Sequence, residues 1–247
     1  MAAYERGRPG YPAEAVDELV RVLGVGPGAT VLDLAAGSGK LTRQLVPAGA
    51  ALLAVEPSAA MRERLAGLAP GVRVLAGTAE AVPVPDGAVD AVTVAQAFHW
   101  FDGPKAVAEL HRVLRPGGRV GLLWNVRDES VPWMAAVTAI LDRHAGAAPR
   151  YRDGRWRAAF DAAAGFTPLQ VRRFRHRHQL DRAALADRFA SISFVAALPD
   201  PTRARVLAEV EKVLATEPSL AGPGPVAVPY RTDLFWTERL TSPAGRR

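Results

Sequence analysis

The chain has 247 residues, 49% of them hydrophobic, enough to bury a sizeable core and suited to one α/β domain with an elaboration. It contains no cysteine, which excludes a disulfide framework, a thiolate metal site and a cysteine nucleophile. The net charge of +6 comes from basic residues that are nearly all arginine in a chain crowded with Ala, Gly, Pro and Val, a compositional bias that disfavours nucleic acid as the partner.

The N-terminus, MAAYERGRPGYP, lacks the apolar run of a signal peptide, and no stretch approaches the ~18 apolar residues of a membrane span. A cytoplasmic protein without a membrane partner is expected. The leader from Tyr4 to Pro12 is too rich in Pro and Gly for regular structure, and a helix follows at about Ala13 to Leu23, with Val16, Leu19, Val20 and Leu23 on one stripe.

Thr30 to Gln44, TVLDLAAGSGKLTRQ, organises what comes next. Val31 to Leu34 reads as a buried strand, Ala35 to Gly39 as a small-residue loop, and a helix opens near Lys40. Gly37 and Gly39 lack a Cβ, so the chain turns sharply and a ligand can lie against the backbone. The loop ends at a helix N-terminus, which favours an anionic group. Asp33 is the odd member: a carboxylate inside an apolar strand needs a partner, the adjacent sequence supplies none, and a cation on a ligand is the simplest candidate. Two nucleotide-cofactor patterns share this layout. The dinucleotide pattern would place a third glycine at position 42, which is Thr42, and the NAD reading weakens accordingly.

With Asp33, Ala35, Gly37 and Gly39 in place, the stretch resembles the first motif of class I S-adenosylmethionine (SAM) methyltransferases, an acid followed by glycines at alternate positions; Ala35 stands where the first glycine is usual. Similar methyltransferases carry a Y-x-x-x-R-P-x-Y-P leader, here Tyr4, Arg8, Pro9, Tyr11 and Pro12, which the resemblance folds over the cofactor.

A second parallel strand, Ala51 to Glu56, is continuously apolar and closed by its acid, Glu56, which is placed to take both ribose hydroxyls. Pro57-Ser58 then opens a helix in which Met61 is placed to pack on adenine and Leu65 belongs to the core. The third strand, Val72 to Ala76, ends at Gly77-Thr78-Ala79-Glu80. The resemblance makes this the adenine-reading turn, through Thr78 or Glu80 and the backbone at Ala79. The fourth strand, Val89 to Ala95, runs into Gln96-Ala97-Phe98-His99-Trp100-Phe101-Asp102, at the end of the sheet where ligands bind in open parallel folds. After a helix at Lys105 to Leu114, the L-R-P-G-G turn at Leu114 to Gly118 enters a fifth strand, another point of resemblance.

The second half is less diagnostic. Helices are predicted at about Pro132 to His144 and Arg155 to Ala164. A strand at Phe166 to Leu180 carries Arg172-Arg173-Phe174-Arg175-His176-Arg177-His178, the charge that protects a sheet edge. A helix from Asp181, as N-cap, to Leu198 and one from Pro201 to Thr216 carry the apolar faces Leu185-Phe189-Ile192 and Val206-Val210-Val213. The last strand is Val226 to Trp236, and Ser242 to Arg247 reads as a disordered tail.

The fold expected is α/β: a Rossmann-like, doubly wound seven-stranded sheet whose last strand, by resemblance, is antiparallel and inserted between the fifth and sixth. We expect a single domain over 1–247, with a SAM-binding core at 25–125 and a helical cap inserted at 181–216.

The resemblance implies SAM-dependent methyl transfer, leaving S-adenosylhomocysteine. Residues 97–102 and the leader look most like methyltransferases of the trans-aconitate type, which act on small acids and other metabolites. A small-molecule acceptor is therefore expected, with O-methylation slightly favoured; the alternatives are a SAM-binding protein without transfer activity and an NAD(P)-dependent oxidoreductase. No metal is required, and no metal-ligand cluster is apparent. Cofactor contacts are expected from Tyr4, Arg8, Asp33, Ala35, Gly37, Gly39, Glu56, Pro57, Met61, Thr78, Ala79, Glu80, Gln96 and Ala97. Acceptor contacts are expected from Tyr11, Trp100, Arg127, Tyr230 and Arg231. His99 is the candidate base or hydrogen-bonding positioner, because its unperturbed pKa lies near neutrality.

Overall fold

The computed structural model describes residues 9–146, 149–222 and 224–241. Seven strands form one sheet: β1 (Thr30–Leu34), β2 (Ala51–Val55), β3 (Arg73–Leu75), β4 (Val89–Ala95), β5 (Leu114–Arg127), β6 (Gln170–Leu180) and β7 (Val226–Glu238). The order across it is β3-β2-β1-β4-β5-β7-β6, with β1 to β5 parallel and β7 antiparallel. Beside β7 the backbone bonds run Thr167 N–H to Glu238 O and Leu240 N–H to Gly165 O, an antiparallel register. The last strand thus sits between the fifth and sixth, as expected, and β6 with its arginines is an edge.

The molecule divides into two compact units. Among the described residues, the sheet unit comprises 11–124, 149–174 and 233–241, and the helical unit 9–10, 125–146, 175–222 and 224–232.

In the sheet unit, α1 (Ala13–Leu23) forms because its apolar residues recur at helical spacing. It ends at Gly24, whose φ of 67° is left-handed, with Val25 N–H returning to Val20 O at 2.9 Å. Its buried Leu19 lies against β5 at Gly121, where an added Cβ would approach Leu19 Cδ1 to 2.4 Å. After β1 come α2 (Lys40–Leu45), α3 (Ala59–Leu68) following β2, and α4 (Gly103–Val113) following β4. Asp102 caps α4, accepting from Lys105 N at 3.4 Å. Val31, Leu32 and Leu34 are fully buried, so β1 is covered on both faces, as a central parallel strand must be.

The expected helix at 155–164 is shorter than its pattern. A 3₁₀ turn at Arg155–Arg157 leads into α6 (Ala158–Asp161), and the chain leaves helix before Gly165. Arg172 and Arg173 on β6 are ion-paired, to Glu18 at 2.8 Å and to the buried Asp233 at 3.7 Å, so part of the basic run is internally neutralised.

In the helical unit, α5 (Pro132–Asp142), α7 (Arg182–Ala190), α8 (Ser193–Ala196) and α9 (Asp200–Thr216) share one core. Leu185, Phe189 and Ile192 meet Val206 and Val210 there, together with Trp133 and Val137 of α5. The single helix expected over 181–198 is broken at Ser191, where Ser191 Oγ returns to Arg188 O at 2.9 Å and competes with the helical ladder. Asp181 occupies the N-cap position of α7 but makes no side-chain cap bond, correcting the expected cap.

Candidate cofactor site

The paired strand ends set the site. Leu34 on β1 is in register with Val55 on β2 and with Val94 on β4, so Ala35, Glu56 and Ala95 emerge side by side at the carboxyl edge. The loop between β1 and α2 then turns through three left-handed residues: Ala35 at φ 55°, Gly37 at 56° and Gly39 at 78°. A non-glycine in that region carries strain of the order of 1 kcal/mol, and Ala35 bears it.

The two glycines do different jobs. A Cβ on Gly37 would meet nothing within 4 Å, so the backbone borders open space there. A Cβ on Gly39 would come within 2.8 Å of Leu65 Cγ. Gly39 therefore lets the start of α2 close on the buried Leu65 of α3, a packing reason for this glycine beside the expected one of admitting a ligand.

Glu56 locks this loop to the next strand. Its side chain is buried; Oε2 accepts from Gly37 N–H at 3.0 Å and Oε1 from Ser58 N–H at 2.9 Å. The carboxylate thus sits between the Gly37 turn and the start of α3. Pro57 is exposed and Met61 half-buried beside it.

Asp33 has partners that chain order did not reveal. Thr42 Oγ1 donates to Oδ2 at 2.5 Å and Thr93 Oγ1, from the neighbouring β4, to Oδ1 at 3.0 Å. The expectation that a ligand cation is its simplest partner is corrected: the fold supplies two hydroxyls, and Thr42, which spoils the dinucleotide pattern, is one of them. Burial pushes the Asp33 carboxyl up to about 6 against these two hydrogen bonds, and nearby Glu56 adds a smaller push.

On the other side of β1, β4 ends at Gln96, a second non-glycine with positive φ, at 60°, whose N–H donates to Leu123 O at 2.8 Å. Strained residues at two neighbouring strand ends mark this edge as a place where backbone direction is imposed. Ala97 follows, half-buried. Across the sheet, Thr78 is exposed and Ala79 buried. Glu80 Oε1 accepts from Asp102 N–H at 3.0 Å, which ties the 78–80 turn to the aromatic turn.

His99 lies in a 3₁₀ turn, Phe98–Trp100. Trp124 Nε1–H donates to His99 Nδ1 at 3.2 Å. An indole nitrogen only donates, so Nδ1 is unprotonated and the ring proton of the neutral form resides on Nε2. Burial lowers the His99 pKa to about 4, with distant Asp153 opposing. At neutral pH His99 is a hydrogen-bond donor through Nε2 whose other nitrogen is already occupied. Trp124 is itself packed against Tyr151 and Trp156, with ring centroids at 4.7 and 4.6 Å, and those two rings also meet each other at 6.1 Å. The signal for this cluster, Trp124 ending an apolar run and Tyr151 and Trp156 in a loop, was present in the chain but needed the fold to be joined.

The acceptor candidates fare differently. Trp100 is 56% exposed, its ring 5.1 Å from that of His99. Tyr11 is buried, with its backbone held at both ends by Gln44: its N–H donates to Oε1 at 3.0 Å and its carbonyl accepts from Nε2 at 2.8 Å. Arg127 donates to Thr138 Oγ1 at 2.8 Å, and Arg231 is half-buried. Tyr230 is 2% exposed inside the helical core and accepts from Arg188 Nε at 2.9 Å, so it is a core residue rather than a lining one. Tyr4 and Arg8 lie outside the described residues. Among the described residues no group of three or more His, Asp or Glu side chains is arranged to hold a metal ion, and no helix is long and apolar enough to cross a membrane.

Residues 32–122 match the family described as a methyltransferase domain. An uncharacterized methyltransferase of Mycobacterium tuberculosis is 42% identical over 234 residues, covering 94% of this chain and 90% of the relative. Among solved structures, a protein of Anaeromyxobacter dehalogenans assigned as a type II methyltransferase is 27% identical with a TM-score of 0.69, covering 94% of this chain and 97% of that one. A geranyl diphosphate methyltransferase solved in complex with SAM is 19% identical with a TM-score of 0.51, over 92% and 85% of the two chains; it shares the fold.

Proposed function

The chain belongs to the methyltransferase family, and from that premise we propose that it transfers a methyl group from SAM to a small-molecule acceptor, with oxygen the favoured target. The observation that carries this reading is the pairing of Glu56 with Gly37: a buried carboxylate at the end of β2 faces a loop that leaves open space at its second turn residue. That combination suits a ligand carrying ribose hydroxyls for the acid and a polar head for the loop. SAM, when bound, supplies a methyl on an electrophilic sulfonium. The residues of this chain then have to hold the cofactor, align the acceptor and exclude water.

Each of these tasks has a candidate. Ala35, Gly37 and Glu56 would hold the cofactor, with Asp33 behind them as a carboxylate whose ionisation a nearby cation would favour. Pro57, Met61, Thr78, Ala79, Glu80, Gln96 and Ala97 would frame it. Gly39 acts indirectly, by seating α2. His99, neutral and donating from Nε2, would orient the acceptor's oxygen rather than remove its proton. Acceptor selection is assigned to Trp100, exposed with its ring 5.1 Å from that of His99.

Isothermal titration calorimetry with SAM, S-adenosylhomocysteine, NAD and NADP tests the reading. Binding of the two sulfur nucleosides without either nicotinamide cofactor is expected, and the reverse pattern would sink it. Glu56→Ala should weaken SAM by roughly 2–4 kcal/mol, since it removes both the charge-assisted contact and the anchor of Gly37. Unchanged affinity would show that Glu56 only braces the loop.

A further inference from the structure

The sheet unit holds a cavity of about 780 Å³ that none of the cofactor residues line. One wall is α4, from Gly103 to His111, a run of about 12 Å at helical rise. The adjoining wall is the α6 segment, contributing Ala158, Ala159 and Ala162; it meets the start of α4, where a Cβ on Gly103 would come within 2.8 Å of Ala159 Cβ. Aromatic rings of Phe101, Trp156 and Phe166 complete it, and His99 opens it toward the turn that follows β4. The volume is that of a drug-sized ligand site, and its lining is small side chains and flat rings.

Its electrostatics are specific. Arg155 is the single charged residue among those lining the cavity; it is 79% exposed and paired with Asp153 at 3.2 Å. The two imidazoles, His99 and His111, are both held below the usual histidine range, chiefly by burial and, for His111, also by the Arg239 charge. At neutral pH neither offers a positive charge. An anionic ligand would therefore find one cation, Arg155, already paired with Asp153 and largely exposed, whereas an uncharged apolar molecule needs no partner along the small side chains and flat rings. At the His99 end, the proton on Nε2 gives one hydrogen-bond donor.

We propose that this cavity binds the uncharged, apolar body of the methyl acceptor, an aromatic or long-chain hydroxyl compound, with its hydroxyl at the His99 end; as the acceptor O–CH₃ bond forms, the S–CH₃ bond of SAM would break, S-adenosylhomocysteine would leave with the electron pair, and the hydroxyl proton would pass to solvent water. The proposal rests on the SAM reading above and narrows its acceptor from metabolites in general, small acids included, to neutral apolar molecules.

The test uses the full chain and two substitutions on the two adjoining walls, Ala108→Phe on α4 and Ala162→Phe just after α6. Both sites are solvent-exposed cavity-lining positions, so a larger ring can fill the space without entering the core. The uncharged fluorophore N-phenyl-1-naphthylamine should bind the parent and bind each variant at least about tenfold more weakly, while circular dichroism and SAM affinity stay unchanged. With labelled SAM, the parent should methylate uncharged phenols and alcohols bearing apolar tails in preference to di- and tricarboxylic acids of similar size, and both variants should lose that transfer. Equal fluorophore binding by parent and variants would overturn the proposal. So would transfer confined to the acids, transfer insensitive to filling, or no transfer to any apolar member. Failure of SAM itself to bind would instead overturn the cofactor reading, and the fluorophore result would still report on the cavity.

Discussion

Replacing Asp33 by Asn should change how the stability of this protein depends on pH. Asp33 is 1% exposed and its carboxyl is pushed up to about 6 in the fold, from 3.8 when unperturbed. Between those values the folded state keeps a proton that the unfolded state has released, so stability falls as pH rises through the window and the full penalty is present above the folded value. The shift corresponds to about 3 kcal/mol, most of which falls between about pH 4 and about pH 7. Asn keeps one acceptor for a threonine hydroxyl, and its amide can donate to the other, so the Thr42 and Thr93 geometry survives without the ionisation. Urea unfolding of parent and variant, followed by fluorescence over this pH range, isolates the term: other titrating groups cancel in the difference. The variant should gain on the parent by about 2 kcal/mol as pH rises. His99 contributes in the opposite sense, since its lowered pKa makes stability rise with pH between about 4 and 6.5, but it is common to both proteins. A difference flat with pH would refute the assignment of a desolvated Asp33, and a difference of opposite sign would mean that the two hydroxyls outweigh burial.

Gly39→Ala should destabilise the protein by about 2–3 kcal/mol, because the new Cβ meets Leu65 Cγ at 2.8 Å and φ is 78°. Adding Leu65→Ala should then cost less than it does alone, and strict additivity in urea melts would argue against the contact. Ala35→Gly should raise stability by about 0.5–1 kcal/mol, relief of the left-handed strain at φ 55° exceeding the entropy lost; a fall in melting temperature would show that this backbone is unstrained. His99→Gln should lower turnover by about tenfold with SAM affinity intact and the pH profile unchanged in shape, as a positioning donor requires. Loss of a basic limb in that profile would instead identify His99 as a general base.

The chain by itself determined the alternation of strands and helices through the first half, because a buried parallel strand, a Gly turn and an amphipathic helix each leave a local pattern; β1, β2 and β4 begin and end within a residue of expectation. It also determined the two acids of the site, Asp33 within β1 and Glu56 just after β2, since both stand out against apolar neighbours. What pairs with those acids was not legible. Thr42 and Thr93 lie 9 and 60 residues from Asp33, and only the parallel register of β1 with β4 brings the second one in. Gly39 read as a ligand glycine because sequence records a missing Cβ without recording what occupies its place, here Leu65. The identity of His99 as a neutral donor depended on Trp124, 25 residues away on the next strand. Tyr230 looked like a site residue because a phenol near a strand end is ambiguous until its burial is known; the helical core encloses it. Local pattern therefore fixes which residues make each element, whereas protonation state, partner and exposure belong to contacts between distant segments, and those exist only once the sheet has closed.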